Sequence, residues 1–249
     1  MSRSSKNRRL VLAALASVCT TFAIPSGLAS ASEIRGVVEL FTSQGCSSCP
    51  PADEALVDYA GRGDILALGY HVDYWDYLGW RDTLGSAENT ARQRAYAKAL
   101  EARSVYTPQA VVDGKTHFVG SDVSAINAQL GSSLPVPVEL KKFNDRISVS
   151  IGEPSAQALD GDVRITLVYF KNESPVKIAR GENAGKTHTY ANAVIARQVM
   201  GMWKGASATM DMPVSEMMKH GADNCAVLLQ VYDADGHPRE IVGAAVLNI

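Results

Sequence analysis

The apolar positions change their period along the chain. Gly36 to Phe41 is a short, nearly continuous apolar run and reads as a buried strand. After a polar turn at 42–45, Ala52, Ala55, Leu56 and Tyr59 recur at helical spacing, and Gly61 and Gly63 stop that helix. Ile65 to Val72 is a second buried strand. An aromatic loop with Trp75, Tyr77 and Trp80 follows. Ser86 then caps a helix to about Arg103, with Ala91, Ala95 and Ala99 expected on one face. Val105 to Val112 leads through Asp113-Gly114, a hairpin signal, to a return strand at Thr116 to Val119. Ser121 caps a last helix with Val123, Ile126 and Leu130 on one side.

After Leu134-Pro135-Val136-Pro137 the period becomes two. Ile147, Val149 and Ile151 alternate with polar residues, as do Val163, Ile165, Leu167 and Tyr169. Cys225 to Tyr232 and Ile241 to Leu247 are further strands around an Asp233-Ala234-Asp235-Gly236 turn. The pattern predicts an α/β unit at 32–134 with a helical insertion. A β-rich unit at 135–249, an antiparallel sheet or small sandwich, follows it.

Residues 1–31 stand apart. Arg3, Lys6, Arg8 and Arg9 precede an apolar stretch from Leu10 to Ile24, and Ala29-Ser30-Ala31 is a small-x-small cleavage signal. These are the three parts of a secretory signal peptide, so a periplasmic or secreted protein is expected. No later run is apolar and long enough to span a membrane.

The chain has 249 residues, with 24 basic and 26 acidic. Cleavage would remove four basic residues and no acid, making the remainder more acidic. That balance gives no electrostatic case for nucleic acid or an anionic membrane. Of four cysteines, Cys19 falls in the leader, leaving Cys46, Cys49 and Cys225. Three are too few for a disulfide-built scaffold.

Cys46 and Cys49 stand at i and i+3 where the first helix opens. A pair so placed closes a disulfide with little backbone movement. The helix start favours the Cys46 thiolate, and the more buried Cys49 resolves a mixed disulfide. The same pair also fits an inert stabilising disulfide. A zinc site is short of ligands, because no second CxxC or CxxH follows.

Glu39, seven residues before Cys46, sits in an apolar strand. Buried there it would take the Cys49 proton; at a strand edge it would reach water. His71, Asp73 and Asp76 lie where the second strand ends, the edge at which open α/β sheets bind ligands. They either tune the thiolate, hold a cation or fix the loop. Trp75 and Trp80 either wall a peptide groove or belong to the core.

Several stretches carry a family resemblance: 41–53 (FTSQGCSSCPPAD), 71–76 (HVDYWD), 79–82 (GWRD), 106–109 (YTPQ) and 180–185 (RGENAG). Through them the chain resembles a family of secreted bacterial proteins, known as a domain of unknown function, that pairs a thioredoxin-like domain with a β-rich domain. The resemblance implies that Thr107 and Pro108, as the residue before a cis-proline and the proline itself, face the dithiol and bind substrate backbone.

Six of seven methionines fall between Met200 and Met218, with His220 and Cys225 just after. Thioethers in an oxidising space favour Cu(I); the other reading is core packing. Cys225 opens an apolar strand and is expected to be a buried thiol, or else an intermolecular bridge. Two readings follow. One is an exported thiol–disulfide oxidoreductase acting on protein thiols or disulfides of the cell envelope, without a cofactor or resident metal. The other is a non-catalytic binding module, with copper held by thiol, His or Met ligands.

Overall fold

The computed structural model describes Met1, residues 33–155 and residues 161–247. The expected leader, Met1 apart, lies outside the described residues. The first half comprises β1 (Gly36–Thr42), α1 (Pro50–Ala60), β2 (Ile65–His71), α2 (Ala87–Ala99), β3 (Gln109–Val112), β4 (Thr116–Val119) and α3 (Val123–Gln129). That is the element order the hydrophobic pattern predicts. The second half comprises β5 (Val138–Phe143), β6 (Arg146–Ile151), β7 (Asp162–Lys177), β8 (Thr187–Trp203), β9 (Ala208–Pro213), α4 (Val214–Lys219), β10 (Asn224–Tyr232) and β11 (Pro238–Val246). The fold is mixed α/β with a large β-rich part.

Eight strands form one sheet in the order β11-β10-β7-β8-β2-β1-β3-β4, and β5-β6-β9 form a second. The large sheet runs through the boundary expected at residue 134, because β8 pairs in parallel with β2 at Gly69 and Ala193. Gly69 permits that meeting, since a Cβ there would lie 3.1 Å from the Ala191 carbonyl oxygen. The described residues from 33 onward belong to one compact unit. The sheet also curls back on itself: Ile241 N–H donates to the Asp113 carbonyl at 2.8 Å, joining β11 to the β3–β4 turn.

Alternation along β1 sorts its side chains between two cores. Val38 and Leu40 pack with Ala52, Leu56 and Tyr59 of α1 and Ile126 of α3. Val37 and Phe41 pack on the other face with Leu66, Leu68, Tyr70 and Tyr96. That core continues into Val168, Phe170, Leu228 and Ile241, so one apolar layer spans both halves. A third core lies where Ile147 and Val149 of the small sheet meet Ile165, Leu167, Val227 and Leu229. Met212 and Met217 are buried in it, and Met200 and Met210 pack against it.

Helix α2 departs from expectation. It ends at Ala99, and its buried face is Asn89, Thr90, Arg92, Gln93, Tyr96 and Ala99 rather than the alanine stripe. Ser86 does cap it, accepting from Asn89 N–H. The buried face is polar because it carries a hydrogen-bond network. Arg92 Nε and Nη2 donate to the two oxygens of Glu39 at 2.8 and 3.0 Å. Nη2 also reaches Tyr96 Oη at 3.0 Å and Gln230 Oε1 at 2.9 Å. Tyr96 donates to Glu39, and the Arg92 guanidinium sits 4.9 Å from the Tyr96 ring centroid.

Glu39 is therefore neither the proton acceptor for Cys49 nor a strand-edge carboxylate in water. Its position alternates with Val38 and Leu40, so it projects away from α1 and is occupied by Arg92.

A buried pair contributes little net stability when intact but costs much when halved. Glu39→Ala is expected to lower the unfolding free energy by about 3–5 kcal/mol, read from urea denaturation. A paired Glu39→Leu and Arg92→Met change is expected to cost less than Glu39→Ala alone. Equal or greater loss in the double variant would show that the ion pair is not the source of the effect.

Candidate dithiol site

The loop from Thr42 to Cys49 leaves β1 and enters α1, and it holds Cys46 and Cys49 as a disulfide with Cα atoms 5.4 Å apart. Cys49 is fully buried and Cys46 is 4% exposed, with Ser47 and Ser48 exposed between them. Attack from outside therefore meets Cys46 first. The Ser48 hydroxyl lies 3.4 Å from Cys46 Sγ.

Three walls surround the pair. Trp75 packs against Gly45, where a Cβ would lie 3.3 Å from Trp75 Cβ. Trp75 Nε1 donates to Thr107 Oγ1 at 2.7 Å, bringing two of the residues singled out in the sequence together. The Thr107–Pro108 bond is cis. Pro108 approaches the start of α1: a Cβ on Gly120 would touch both Ala52 and Pro108 at about 3 Å. Tyr77 stacks on Trp75 with centroids 6.3 Å apart and is exposed.

The third wall comes from the second half. The turn between β7 and β8 carries Asn183, which is buried and donates through Nδ2 to the Cys46 carbonyl at 2.9 Å and the Gln44 carbonyl at 3.1 Å. Glu182 beside it accepts from Ser47 N–H at 3.3 Å. Gln44 is buried too, accepting from Trp80 Nε1 at 2.8 Å. Trp80 thus braces the dithiol loop rather than filling the core.

Beneath the pair lies a cluster of buried ionisable groups. Thr42 and His71 stand side by side on β1 and β2, facing α1. Asp53, one turn after Cys49 on α1, comes down beside them and is buried. Cys49 and Asp53 stand at i and i+4, the spacing that puts two residues on one face of a helix. Burial pushes Asp53 up to about 7, although the positive charge of His71 pulls it down. Its Oδ1 is buried without a hydrogen-bond partner, as is Thr42 Oγ1.

His71 Nδ1 lies 2.8 Å from Asp82 Oδ2. Burial alone would depress His71, but Asp82 and then Asp53 outweigh it, so its pKa is raised. Burial would raise Asp82, but His71 and the N–H groups of Gln44 and Leu84 hold it below the usual carboxylate range. Tyr190 of β8 stacks edge-on against His71 at 4.6 Å, and its pKa is raised by burial and by Asp53 and Asp82.

Asp73 and Asp76 do not join this cluster. Asp73 accepts from Thr90 Oγ1 at 2.6 Å, and Asp76 accepts from Asp82 N–H at 2.9 Å, so both fix the loop. Asp53, Asp82, Glu182, Asn183 and Tyr190 carry no individual role in the sequence pattern. A signal for Asp53 was present: Cys49, Ala52, Asp53 and Leu56 fall at i, i+3, i+4 and i+7, the inner face of α1.

The methionines do not converge on these groups, four of the six lying in or against the third core. His220 stacks on Tyr169 at 4.5 Å. Cys225 is buried and unpaired, and burial pushes its thiol up to about 11. Among the described residues, one group of metal-type ligands gathers closely, Asp233, Asp235 and His237 at the β10–β11 turn, far along the chain from the dithiol. No described helix is long and apolar enough to cross a membrane.

A family model described as "Protein of unknown function (DUF1223)" matches residues 37–230. A crystal structure of a protein from Agrobacterium tumefaciens is similar at 43% identity, with a TM-score of 0.78, over 88% of this chain and 96% of that one. HBP35 of Porphyromonas gingivalis shares the fold at 14% identity and a TM-score of 0.56, over 86% of this chain and 75% of that one. No curated protein matches the chain.

The buried cluster sets a pH dependence. Asp53 binds its proton more tightly folded than unfolded, so between about pH 4 and pH 7 the folded state holds the extra proton and stability falls as pH rises. The raised His71 acts in the same direction above its unfolded value, whereas lowered Asp82 acts oppositely, and only in acid. The urea midpoint is expected to drop between about pH 5 and pH 8. Asp53→Asn is expected to flatten that drop and to stabilise the protein at pH 8 by a gain on the order of a few kcal/mol. An unchanged profile would show that Asp53 is not the titrating group.

Proposed function

We propose that this chain, which belongs to the DUF1223 family of proteins of unknown function, is an exported thiol–disulfide oxidoreductase acting through Cys46 and Cys49 on a thioredoxin-like domain. The observation that carries this reading is the dithiol at the opening of α1 with a buried carboxyl one turn further on, one oxygen of which has no hydrogen-bond partner. A disulfide that only staples a loop has no use for a carboxyl kept only partly compensated beneath it. Trp75 and Thr107–Pro108 beside the pair support a cleft for partner backbone. The leader-like residues 1–31 support export to the cell envelope.

The Cys46 thiolate attacks one sulfur of a partner disulfide, and the other partner sulfur leaves as a thiolate. Cys49 gives its proton to Asp53, which Glu39 cannot replace from the far face of the sheet. The Cys49 thiolate then attacks Cys46 Sγ, and the partner's second sulfur leaves. Two electrons pass from the pair to the partner, and the reverse sequence oxidises a partner dithiol. Cys225, buried on the β-rich side, takes no part.

Trapping tests this directly. Cys49→Ala, incubated with a disulfide-linked model peptide, is expected to accumulate a mixed disulfide through Cys46, visible by mass spectrometry. Cys46→Ala is expected to form none, and Asp53→Asn to slow wild-type turnover about tenfold or more near neutral pH. A native Cys46–Cys49 disulfide that stays closed under excess dithiothreitol in the folded protein would assign the pair to stability alone.

A further inference from the structure

We infer that Glu182, supplied by the β7–β8 turn, holds the Cys46–Cys49 couple toward its disulfide form, so that the pair serves as an electron donor to partner disulfides. This rests on the thiol–disulfide reading and adds to it the direction of electron flow and a residue that sets it.

A thiolate at a helix start draws stability from backbone N–H groups that lack partners. Here most of them are missing or engaged. Pro50 and Pro51 fill the first two helical positions and have no N–H. Cys49 N–H donates to the Cys46 carbonyl, and Cys46 N–H to the Ser43 carbonyl. Ala52 and Asp53 N–H both donate to the Cys49 carbonyl. Ser47 N–H, next to the attacking cysteine, is taken by the Glu182 carboxylate. The Ser48 hydroxyl is left as the neighbour of Cys46 Sγ.

Glu182 acts twice against a Cys46 thiolate. It takes a donor, and it sets a like charge beside the residue that follows Cys46. Only the reduced pair carries a thiolate, so weakening the thiolate favours the disulfide and makes the reduced pair a better donor. The position of Glu182 is fixed by its neighbours. Asn183 holds the Cys46 carbonyl, and Gly181 lies against Trp80, where a Cβ would meet Trp80 Cβ at 3.2 Å. Lys186 on the same turn is directed to Asn183 Oδ1 at 3.2 Å rather than to the sulfur. Glu182 is a positioning residue that works through Ser47 and through its charge. Each turnover leaves Cys46 and Cys49 as a disulfide, and a second dithiol, small or protein-borne, returns the two electrons.

The test is the equilibrium of the purified chain with reduced and oxidised glutathione, for wild type, Glu182→Gln and Glu182→Ala. Glu182 is exposed, so neither change threatens folding. Gln keeps an acceptor for Ser47 N–H but removes the charge; Ala removes both. Each variant is expected to shift the equilibrium toward the dithiol by about threefold to tenfold, Ala more than Gln; tenfold corresponds to about 30 mV. The thiolate absorbance of Cys46 is expected to titrate at lower pH in the variants, with the gap narrowing in high salt. An unchanged equilibrium, or a shift toward the disulfide, overturns the role of Glu182 while the exchange reading stands. If none of the three proteins exchanges with glutathione, the exchange reading falls and takes this inference with it.

Discussion

The fold depends on one buried ion pair. Glu39 of β1 and Arg92 of α2 meet through two hydrogen bonds, and Gln230 of β10 and Tyr96 complete the shell. Gln230 also reaches the Arg239 carbonyl at 2.7 Å, which brings β11 into the same node. One guanidinium thus ties the first strand, the inserted helix and the far end of the sheet. Left unpaired in this core, either charge would be costly, so the elements must assemble together or not at all. The curl that closes β11 onto the β3–β4 turn is anchored there too. With α2 fixed, the loop before it is fixed, and that loop carries Trp75, Trp80 and Asp82 into the site.

The second half of the chain helps build the dithiol site. β7 and β8 run 16 and 17 residues, far longer than the strands of the first half, and their turn reaches Cys46. Asn183 at that turn holds two backbone carbonyls of the dithiol loop, and Tyr190 a few residues later covers His71. The parallel contact between β2 and β8 at Gly69 brings both into place. A site made from both halves explains why the large sheet is continuous: separate domains could not hold the Asn183 amide within hydrogen-bond distance of Cys46 through random relative motion.

Much of this is legible in the residues. The strand–helix–strand pattern through residue 130, the place of Cys46 and Cys49, and the Ser86 cap all follow from local periodicity and capping chemistry. Other features hide from it. The inner face of α2 is polar, so a search for apolar stripes selects the alanines and misses Arg92 and Gln93. The join of β2 to β8 spans more than a hundred residues and meets in register at Gly69 and Ala193, with no local mark in the hydrophobic pattern. The contrast between Glu39 and Asp53 is legible in the sequence. Period-two alternation puts Glu39 on the opposite face from Val38 and Leu40, and helical spacing puts Asp53 with Cys49. Burial in the strand that leads to the cysteines is the weaker guide, because a strand sends successive side chains to opposite faces.

The two faces of β1 and β2 thus carry two buried charge systems with opposite logic. On one face Glu39 has a bidentate partner, and every oxygen it presents is engaged. On the other, Asp53 keeps an oxygen without a partner, and the positive charge nearest it, His71, is already committed to Asp82. A carboxyl that is buried and only partly compensated sits at about 7, where taking or giving a proton costs little. The difference comes from the partner each carboxyl meets, since both are buried to nearly the same extent. The fully paired carboxylate therefore lies on the α2 face of the sheet and the partly compensated carboxyl on the α1 face, and the dithiol opens on the second.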